Sequence, residues 1–367
     1  MNVGVLGAGQ LGRMLALAGH GLGMRFSFFD PNPDSPVRDV GELTAADYSD
    51  SVALERFTEG LDVATYEFES IPVEAVEAVA KRVPVFPSVQ ALKVSQDRVL
   101  EKRCFQHMSI RTAPCRDVAS RGDLDKAAHE IGLPAVLKTR RLGYDGKGQV
   151  VIRDENGLAD AWEKLGGVPL ILEQFIEFDR ELSIIGARSR SGEIVFYPMV
   201  ENEHREGILS RSVAPADVGE TKVRAAREYV RRIMSSFDYV GVLALEMFES
   251  GEKLIANEIA PRVHNSGHWT IEGAETSQFE NHVRAICGRE LGGAGAVGHS
   301  VMLNVLGTVP DVARIEGIAG AHVHMYGKAP APRRKLGHVT VTGHDAAEAR
   351  DRAASVLRAM APEGVPA

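Results

Sequence analysis

The sequence predicts an α/β fold in its N-terminal part and an α+β fold in the rest of the chain. Up to about residue 107, short apolar segments alternate with helical runs, the pattern of a parallel sheet with covering helices. From about residue 110, paired apolar segments flank short turns such as 191–192 and 250–251, which is typical of antiparallel hairpins. The chain has 367 residues, of which 44% are hydrophobic, enough for two or three domains with substantial cores.

The N-terminal elements follow in the order strand, glycine motif, helix and strand. The strand pattern at 3–6 leads into GAGQLG at 7–12, and the next strand, 25–29, ends at Asp30. We predict further strands at 61–65 and 83–86, a helix through Val76 and Val79 between them, and a helix over 96–107.

Three hairpins and several single strands are predicted after residue 110. Glycine stands in the turns between paired segments because it adopts the backbone angles that tight turns need. Residues 291–298 are rich in Gly and Ala and predict a flexible loop. The other predicted elements are the hairpins 135–138/149–152, 181–187/194–199 and 240–248/253–259, the strands 170–174, 301–306, 321–326 and 338–342, and the helices 225–236 and 346–360.

Charge and composition exclude several classes of protein. The formal net charge is −8, which argues against a general nucleic-acid or anionic-membrane binder. We find no apolar stretch that could span a bilayer, and the first residues lack the basic start and long apolar run of a secretory signal. Cys104, Cys115 and Cys287 are scattered without a CxxC motif, so we expect reduced thiols in a cytoplasmic protein, with no disulfide frame and no zinc site.

The glycine motif at 7–12 supports more than one hypothesis. With a strand before it, a helix after it and Asp30 at the end of the next strand, it fits a dinucleotide fold and hence an NAD-linked oxidoreductase. The same turn holds any phosphate or polar ligand at a helix N-terminus, or serves only close packing of helix on strand. The motif alone leaves these alternatives open.

A second glycine-rich stretch, LKTRRLGYDGKGQVVI at 137–152, joins two strand-like segments. Lys138 precedes its glycines and Lys147 lies among them. Backbone N–H groups exposed by glycine and lysine ammonium groups both bind phosphate oxygens, which predicts an anion clamp. A solvated surface hairpin is the alternative, since glycine and lysine are ordinary turn and surface residues.

Two glutamates lie in otherwise apolar strands of the third hairpin, Glu246 in VLALEMFES and Glu258 in LIANEIAPR. A carboxylate buried there without a partner costs on the order of several kcal/mol, so each needs a cation. Across a hairpin the two side chains can face the same side and bind Mg²⁺, with Asn257 beside one of them. The alternative is that each glutamate pairs with an arginine.

Residues 260–270 read APRVHNSGHWT and place four kinds of polar side chain in one short loop. Such a cluster suggests a small-molecule site, and a polar surface loop is the alternative. A zinc site at His264 and His268 is disfavoured, because the i, i+4 spacing needs a helix whereas Pro261 and Gly267 predict a loop.

Other charged residues do not indicate a binding site when each is considered alone. Glu173 and Glu181, in LEQFIEFDRELS, have the spacing to bracket a ribose and an adenine, or they are surface charge. Arg98 lies in a predicted helix ahead of the second glycine-rich stretch. The run YGKAPAPRRKLGHV gathers basic residues that either hold a substrate phosphate or form a solvated loop.

In this order, the motifs resemble the ATP-grasp superfamily and, within it, the family of N5-carboxyaminoimidazole ribonucleotide synthetases. HNSGHWT together with GYDGKG is the most specific part of a likeness that covers nearly the whole chain. One position departs from the family pattern: Leu142 stands where a first glycine is usual, which would stiffen the loop. The matching segments are GAGQLGRM at the start, TYEFESIP at 65–72, QDRVLEKR at 96–103, GYDGKGQ at 143–149, LEQFI at 172–176, NEIAPRVHNSGHWT at 257–270 and RRKLGH at 333–338.

The resemblance implies an ATP-grasp fold with a Rossmann-like N-terminal domain, built on a parallel sheet, and a C-terminal domain that completes the nucleotide site. The expected boundaries are 1–95 for the N-terminal substrate-binding domain, 96–290 for the ATP-grasp domain with a small lid at about 110–175, and 291–367 for the C-terminal domain.

The resemblance also implies nucleotide and metal contacts. Glu246 and Glu258 would bind Mg²⁺, with two ions expected. The expected ATP contacts are Arg98, Lys138, Gly143, Tyr144, Asp145, Gly146, Lys147, Gly148, Glu173, Gln174, Phe175, Ile176, Glu181, His204, Asn257 and Glu258.

A second set of residues would surround aminoimidazole ribonucleotide and the reacting carbon. The expected catalytic residues near carboxyphosphate, or the carbon dioxide that it releases, are Tyr144, Asp145, Arg262 and His264. His264 is a candidate base for the amine, since unperturbed histidine titrates near neutrality. The expected nucleotide-substrate contacts are Gln10, Leu11, Glu67, Arg262, Asn265 and Ser266, with Lys328, Arg334 and Lys335 on the 5′-phosphate.

The implied activity is ATP-dependent carboxylation of aminoimidazole ribonucleotide by bicarbonate, through carboxyphosphate, in purine biosynthesis. The implied protein is a cytoplasmic homodimer that passes its product to the N5-carboxyaminoimidazole ribonucleotide mutase and uses no NAD, biotin or zinc. No nucleic acid and no membrane is expected as a partner. The alternatives are a formate-dependent glycinamide ribonucleotide transformylase or another ATP-grasp ligase, and a nucleotide-sensing module that binds ATP without turnover.

Overall fold

The first sheet of the protein contains four parallel strands. The structure is a computed structural model that describes residues 1–143 and 146–361. The strands are β1 (Asn2–Leu6), β2 (Arg25–Asp30), β3 (Glu42–Ala45) and β4 (Val63–Tyr66), and the helices between and after them are α1 (Gln10–His20), α2 (Ser51–Phe57) and α3 (Val73–Ala80). The strand order is β3-β2-β1-β4. This alternation confirms the α/β organisation predicted for the N-terminal part.

Three of the four N-terminal strands predicted from the sequence are present as β1, β2 and β4. The predicted strand at 83–86 is wrong, because only Val85 forms an isolated bridge, to Ala64. Pro84 has no N–H to donate to a ladder, so the pairing with β4 is limited to this one bridge. β3 and α2 were not predicted, since β3 has only four residues and no clear apolar face.

Two helices, α4 (Val89–Ser95) and α5 (Arg98–His107), connect the first sheet to the remainder of the chain. The helix predicted over 96–107 begins two residues later than expected. Asp97 is its N-cap, and the Asp97 carboxylate accepts hydrogen bonds from two backbone N–H groups of the first turn.

A small antiparallel sheet follows, with two helices packed on it. Its elements are β5 (Cys115–Val118), α6 (Arg121–Ile131), β6 (Ala135–Thr139), β7 (Gln149–Ile152), α7 (Gly157–Leu165) and β8 (Leu170–Gln174). The strand order is β5-β8-β6-β7. Leu124 and Leu158 of the helices pack against Leu137 and Leu172 of the strands. The predicted hairpin β6–β7 and the predicted strand β8 are therefore confirmed.

A nine-stranded sheet forms the rest of the fold. Its first part contains β9 (Arg180–Arg188), β10 (Ile194–Phe196), β11 (Val200–Arg205), β12 (Ile208–Ala214), α8 (Glu220–Ser236), β13 (Gly241–Ser250) and β14 (Lys253–Ala260). The predicted hairpin β13–β14 is confirmed, and the predicted strand 194–199 ends early, at Phe196. β11 and β12 were not predicted, and the polar sequence VENEHR of β11 has no apolar alternation.

The last third of the chain adds strands to the same sheet. Its elements are a short 3₁₀ turn (Asn265–Gly267), α9 (Thr270–Gly273), α10 (Gln278–Ile286), β15 (His299–Leu306), α11 (Val312–Glu316), β16 (Ala321–Met325), β17 (Lys335–Gly343) and α12 (Ala346–Met360). The strand order is β14-β13-β9-β11-β12-β15-β17-β16, with β10 paired beside β9. The three strands and the closing helix predicted here are confirmed. In the part of the chain that the structure describes, no helix has the length and apolar character needed to cross a bilayer.

Candidate active site

A cavity of about 720 Å³ lies where the first sheet, the small sheet and the large sheet meet. Its walls come from the first residues of α1, from α5, from β6 and β8, from the hairpin β13–β14 and from the loop after β14. These segments carry most of the motifs that the sequence singled out. The cavity is large enough for a nucleotide, since ligand sites have volumes of a few hundred Å³ or more.

Glu246 and Glu258 lie directly opposite each other in the β13–β14 ladder. Both line the cavity, and the register of the hairpin shifts immediately after Glu246. Glu246 Oε1 lies 3.0 Å from His264 Nε2, and Glu258 Oε2 accepts a hydrogen bond of 2.8 Å from Arg98. Burial opposes ionisation of Glu246, but the hydrogen bond from His264 and the positive groups nearby outweigh it and lower the pKa of that carboxyl. The pair is therefore a concentrated negative charge in the cavity wall.

A third oxygen belongs to the same wall. Asn257 Oδ1 is buried and has no hydrogen-bond partner among the described residues, while the backbone oxygen of Asn257 accepts 2.7 Å from Lys102. A buried polar atom without a partner costs free energy, so this amide is suited to a ligand. Across residues 1–143 and 146–361, no group of three or more His, Cys, Asp or Glu side chains is arranged to hold a metal.

Glu173 is the centre of a buried cluster of charges beside the carboxylate pair. Its side chain accepts 2.9 Å from Lys138, and Lys102 lies 3.5 Å from the same oxygen. Burial alone would raise the pKa of Glu173, but the two lysines lower it to about 2. Burial in turn lowers the pKa of Lys138, against the opposing attraction of Glu173. Glu173 thus fixes two ammonium groups at the cavity wall, where both lysines line the space.

Lys102 was missed by the sequence reasoning, although QDRVLEKR contains the signal. Arg98 and Lys102 are four residues apart in α5, so they share one face of the helix. The pairing partner, Glu173, lies far away in sequence, and only the tertiary fold brings it to this face.

Glu181 and His204 form a pair on the neighbouring strands β9 and β11. Glu181 Oε2 lies 2.6 Å from His204 Nδ1, and both residues line the cavity. Burial lowers the pKa of His204, but the contact with Glu181 outweighs it, so the net direction is upward. The predicted ATP contacts Glu181 and His204 therefore lie at the cavity together.

An apolar part of the cavity adjoins β8. Gln174, Phe175 and Ile176, which were predicted to contact ATP, line it. Phe178 and Phe248 also line it and stack with ring centroids 4.7 Å apart, a pair that the sequence reasoning missed. Stacked aromatic rings and aliphatic side chains suit the flat face of a nucleobase.

The loop after β14 carries the second group of predicted residues. Arg262 bonds Glu69 at 2.7 Å, and Asn265 lines the cavity with both side-chain polar atoms buried and unpaired among the described residues. Ser266 is fully buried and is not part of the cavity wall. His268 was considered only for zinc and reaches the cavity, whereas Glu69 was missed because nothing near it in sequence predicts its pairing with Arg262.

Two amides of the glycine motif after β1 are already bound by a side chain of the protein. The carboxylate of Glu67 accepts hydrogen bonds from the backbone N–H groups of Gly9 and, at 2.6 Å, of Gly12. Glu67 is buried there, which raises the pKa of its carboxyl despite these bonds, and it does not line the cavity. The Glu67 side chain thus occupies the N-terminus of α1, where a dinucleotide pyrophosphate would bind.

The other residues predicted to hold the nucleotide substrate divide into two groups. Gln10, Leu11 and Lys335 line the cavity. Lys328 contacts the side chain of Gln10 and lies just behind it. Arg334 is exposed and donates 3.0 Å to the backbone oxygen of Ala329, so the structure does not bring it to the cavity wall.

Part of the second glycine-rich stretch is described, and it covers one edge of the cavity. Gly143, Gly146 and Lys147 line the space, and Gly146 and Gly148 have φ of +75° and +71°, which favours glycine. Leu142 has φ of +61° and is 77% exposed. The predicted residues Tyr144 and Asp145 lie outside the described residues.

The fold and the site define an ATP-grasp enzyme. A family model for the ATP-grasp domain matches residues 103–279, and a model for the ribonucleotide synthetase preATP-grasp domain matches residues 1–96. A model for the phosphoribosylaminoimidazole carboxylase C-terminal domain matches residues 300–352. The predicted fold class is confirmed by these matches.

Relatives that match over nearly the whole chain identify the family within the ATP-grasp enzymes. The chain is 51% identical to an N5-carboxyaminoimidazole ribonucleotide synthase of Pseudomonas aeruginosa, over 97% of this chain and 98% of that protein. It is 40% identical to the synthase of Vibrio cholerae, over 100% of this chain and 97% of that protein. The chain belongs to the N5-carboxyaminoimidazole ribonucleotide synthase family, which confirms the resemblance found in its sequence.

Solved structures agree with this membership. The synthetase of Thermus thermophilus superposes with a TM-score of 0.94 at 48% identity, covering 99% of this chain and 100% of that one. The synthase of Aspergillus clavatus in complex with ADP and 5-aminoimidazole ribonucleotide superposes with a TM-score of 0.90 at 31% identity, covering 98% of each chain.

Proposed function

We propose that this chain catalyses ATP-dependent carboxylation of 5-aminoimidazole ribonucleotide by bicarbonate, giving N5-carboxyaminoimidazole ribonucleotide, ADP and phosphate in purine biosynthesis. The observation that carries the proposal is the register of Glu246 opposite Glu258, beside the lysines held by Glu173, in one cavity wall. Carboxylates and lysines side by side suit a metal-bound triphosphate, because the two sets of charges bind the metal and the phosphates respectively.

ATP occupies the part of the cavity between the small sheet and the β13–β14 hairpin. Its base lies in the apolar part near Phe175, Phe178 and Phe248, and its phosphates extend toward Arg98 and Lys138. Both cationic groups are partly buried, so their interaction with phosphate oxygens is stronger than it would be in water. The glycines at 143, 146 and 148 place flexible backbone over this region.

The donor set fits Mg²⁺. Glu246, Glu258 and the unpaired Asn257 Oδ1 are hard oxygen donors, and two carboxylates leave the remaining coordination to phosphate oxygens and water, as Mg²⁺ prefers. When bound, Mg²⁺ supplies positive charge to phosphate oxygens on which negative charge builds during transfer. We retain the expectation of two ions as a prediction.

The reaction proceeds in two transfers. A bicarbonate oxygen attacks the γ-phosphorus of ATP and releases ADP, and the product is carboxyphosphate. The amine of the nucleotide then attacks the carboxyl carbon, or carbon dioxide released from it, and phosphate leaves. Water destroys carboxyphosphate, so the site must exclude water, and Gly143, Gly146 and Lys147 cover one edge of the cavity.

Aminoimidazole ribonucleotide lies at the opposite end of the cavity, between the first residues of α1 and the loop after β14. Gln10, Leu11, Arg262, Asn265 and Lys335 line that end. The unpaired amide of Asn265 supplies both a donor and an acceptor to the substrate. Glu67, Ser266, Lys328 and Arg334 support this wall from behind or lie outside it, so we assign them no direct contact in this state.

The remaining expectations rest on family resemblance. We propose the division into 1–95, 96–290 and 291–367, supported by the separate first sheet and by the addition of β15, β16 and β17 to the large sheet. We also propose a cytoplasmic homodimer whose product passes to the N5-carboxyaminoimidazole ribonucleotide mutase. Sedimentation of the purified chain tests the dimer, and a monomer would contradict it.

An ADP-release assay tests the function directly. With ATP, aminoimidazole ribonucleotide and bicarbonate present, ADP should form at a rate that falls sharply when either of the last two is omitted. Formate with glycinamide ribonucleotide should not substitute, which separates the sister transformylase. ADP release that is independent of both co-substrates, or no turnover with tight ATP binding, would contradict the proposal.

A further inference from the structure

A chain of buried hydrogen bonds connects the large sheet to His264 in the active site. Ser212 Oγ donates 2.7 Å to Asn202 Oδ1, and Asn202 Nδ2 donates 2.9 Å to Ser183 Oγ. Ser183 Oγ lies 2.8 Å from Ser266 Oγ, which lies 2.9 Å from His264 Nδ1. We call Ser212, Asn202, Ser183 and Ser266 the relay. The relay starts on β12, crosses β11 and β9, and ends in the turn after β14.

The relay is sealed from solvent. Its three serines have 0% exposure and Asn202 has 7%. Polar side chains in such surroundings cost free energy unless each is hydrogen-bonded, and here each has a partner within the chain of bonds. Because water does not compete, the direction of each hydrogen bond is fixed by the donors and acceptors of the relay itself.

The two relay bonds of Asn202 have a fixed direction, and they favour donation toward His264 in the other two. The amide nitrogen of Asn202 can only donate, so the Ser183 oxygen accepts that bond. Ser266 Oγ is then the remaining relay partner of the Ser183 hydroxyl, so the buried Ser183 proton is satisfied by donating to Ser266. With Ser183 as its donor, the Ser266 hydroxyl has His264 Nδ1 as the acceptor for its own proton. Reversing this order would require Asn202 to turn its amide, with its nitrogen facing Ser212.

Two contacts besides the side-chain bonds of the relay indicate the same arrangement of His264. The backbone N–H of Ser266 donates 3.3 Å to Nδ1, and the opposite ring nitrogen, Nε2, lies 3.0 Å from Glu246 Oε1. A ring nitrogen that accepts a hydrogen bond carries no proton, and a carboxylate oxygen requires a donor. Both contacts therefore place the ring proton on Nε2, facing Glu246.

We propose that the relay holds His264 as the neutral tautomer with its proton on Nε2, which makes His264 a positioning residue that orients Glu246. In this state neither ring nitrogen is available to accept a proton from the substrate amine. The assignment replaces the base role that residue type alone suggested. It rests on the proposed function in one respect only, that Glu246 binds the metal.

Nitrogen NMR of the metal-free, full-length protein tests the tautomer. Histidine labelled with ¹⁵N should show, for His264, a proton-bearing Nε2 and a Nδ1 with a free lone pair, and the signals are assigned by their loss in His264→Gln. A proton on Nδ1 in the unsubstituted protein would overturn the proposal.

A sharper test reverses the direction of the relay's hydrogen bonds by a substitution that does not touch His264. Asn202→Asp removes the only amide donor, so Ser183 and Ser212 would both donate to the new carboxylate, and Ser266 would donate toward Ser183. The ¹⁵N signals of His264 should then shift toward a protonated Nδ1. The control is Ser300→Ala, since Ser300 is equally buried and its hydroxyl has no hydrogen-bond partner among the described residues.

Ser183→Ala interrupts the same relay without adding a charge and remains informative if the aspartate variant does not fold. Mn²⁺ affinity in the presence of ADP should fall roughly tenfold in Ser183→Ala, the scale on which residues behind a metal ligand act. It should stay unchanged in Ser300→Ala. Equal affinities in both variants would overturn the orienting role. If bound Mn²⁺ leaves the His264 signals of the unsubstituted protein unbroadened, the metal assignment fails while the tautomer result stands.

Discussion

Two acidic regions face the same cavity, and their carboxylates are neutralised to different extents. Glu173, in the small sheet, is 3% exposed and contacts two lysines. Glu246 and Glu258, in the β13–β14 hairpin, face each other; Glu246 contacts the imidazole of His264, and Glu258 contacts the guanidinium of Arg98. The first region has more positive than negative groups, and the second retains two adjacent negative groups.

This difference in neutralisation indicates a structural role for Glu173 and a metal-binding role for Glu246 and Glu258. Glu173 is fully compensated, so its role is to hold the lysine ammonium groups where phosphate oxygens can meet them. Two adjacent carboxylates repel each other unless a cation lies between them, so the hairpin favours a divalent ion. Substituting one member of each region tests this division.

The largest effect is expected at Glu258. Glu258→Gln keeps the size of the side chain and removes its charge, so the turnover rate should fall by roughly 100- to 1000-fold, the scale for losing one electrostatic stabiliser of a transition state. Steady-state ADP release measures the loss, and circular dichroism should show an unchanged fold. Glu252→Gln, at the exposed hairpin turn, should retain full activity. Comparable rates in the two variants would contradict the metal assignment.

Glu173→Gln should act mainly on stability. Removing one partner of a buried ion pair leaves an uncompensated charge, here on Lys102 and Lys138, at a cost of roughly 3–5 kcal/mol in the free energy of unfolding. Denaturant unfolding measures it. Glu130→Gln is the matched control, because Glu130 pairs with Arg116 on the surface and such pairs contribute about 1 kcal/mol or less. If both variants lose equally little, Glu173 is not the organising charge.

The stability of the protein should depend on pH through the buried carboxyl of Glu101. The cations near it are already paired with other glutamates, Arg98 with Glu258 and Lys102 with Glu173. Burial raises the pKa of Glu101 from 4.5 to about 8, against the attraction of Lys102. The folded state therefore holds this proton more tightly than the unfolded state, so its contribution is greatest below pH 4.5 and declines as the pH rises to about 8.

Glu101→Gln, which retains an acceptor for the N–H of Ile259, should flatten that decline. The free energy of unfolding, measured in denaturant across this pH range, should fall less steeply in the variant than in the unsubstituted protein. Identical slopes would show that Glu101 does not titrate within the range.

The smallest effect is expected at Leu142 in the glycine-rich loop. A leucine at positive φ is strained by about 1 kcal/mol, and Leu142→Gly relieves this strain but adds freedom to the unfolded chain. The two terms nearly cancel, so the free energy of unfolding should change by less than about 1 kcal/mol. A loss of several kcal/mol in denaturant unfolding would indicate that the exposed leucine makes a contact essential to the fold.

The sequence predicts the β13–β14 hairpin and its two carboxylates well, because apolar strands of similar length flank a serine–glycine turn and both glutamates interrupt the apolar pattern. It does not predict β11, since VENEHR is polar and several of its side chains meet the site or the relay rather than an apolar core. The alternation of apolar residues predicts a strand that packs on an apolar core, but it cannot predict a strand whose buried side chains are polar.

Long-range polar pairing is the other limit of sequence reasoning. Glu67 was expected at the substrate, yet it occupies the N-terminus of α1, more than 50 residues earlier in the chain. Lys102 and Glu69 were missed for the same reason, as their partners Glu173 and Arg262 are distant in sequence. Residue type identifies a charge that needs a partner, and only the fold determines which partner it receives.

The most direct test of the central claim is a crystal structure with Mn²⁺ and a non-hydrolysable ATP analogue, with the metal located by its anomalous scattering. The expected result is a metal peak between Glu246 and Glu258, within about 2.0–2.3 Å of carboxylate and phosphate oxygens. A nucleotide bound elsewhere, or a metal held only by phosphates with both glutamates still paired to His264 and Arg98, would contradict it.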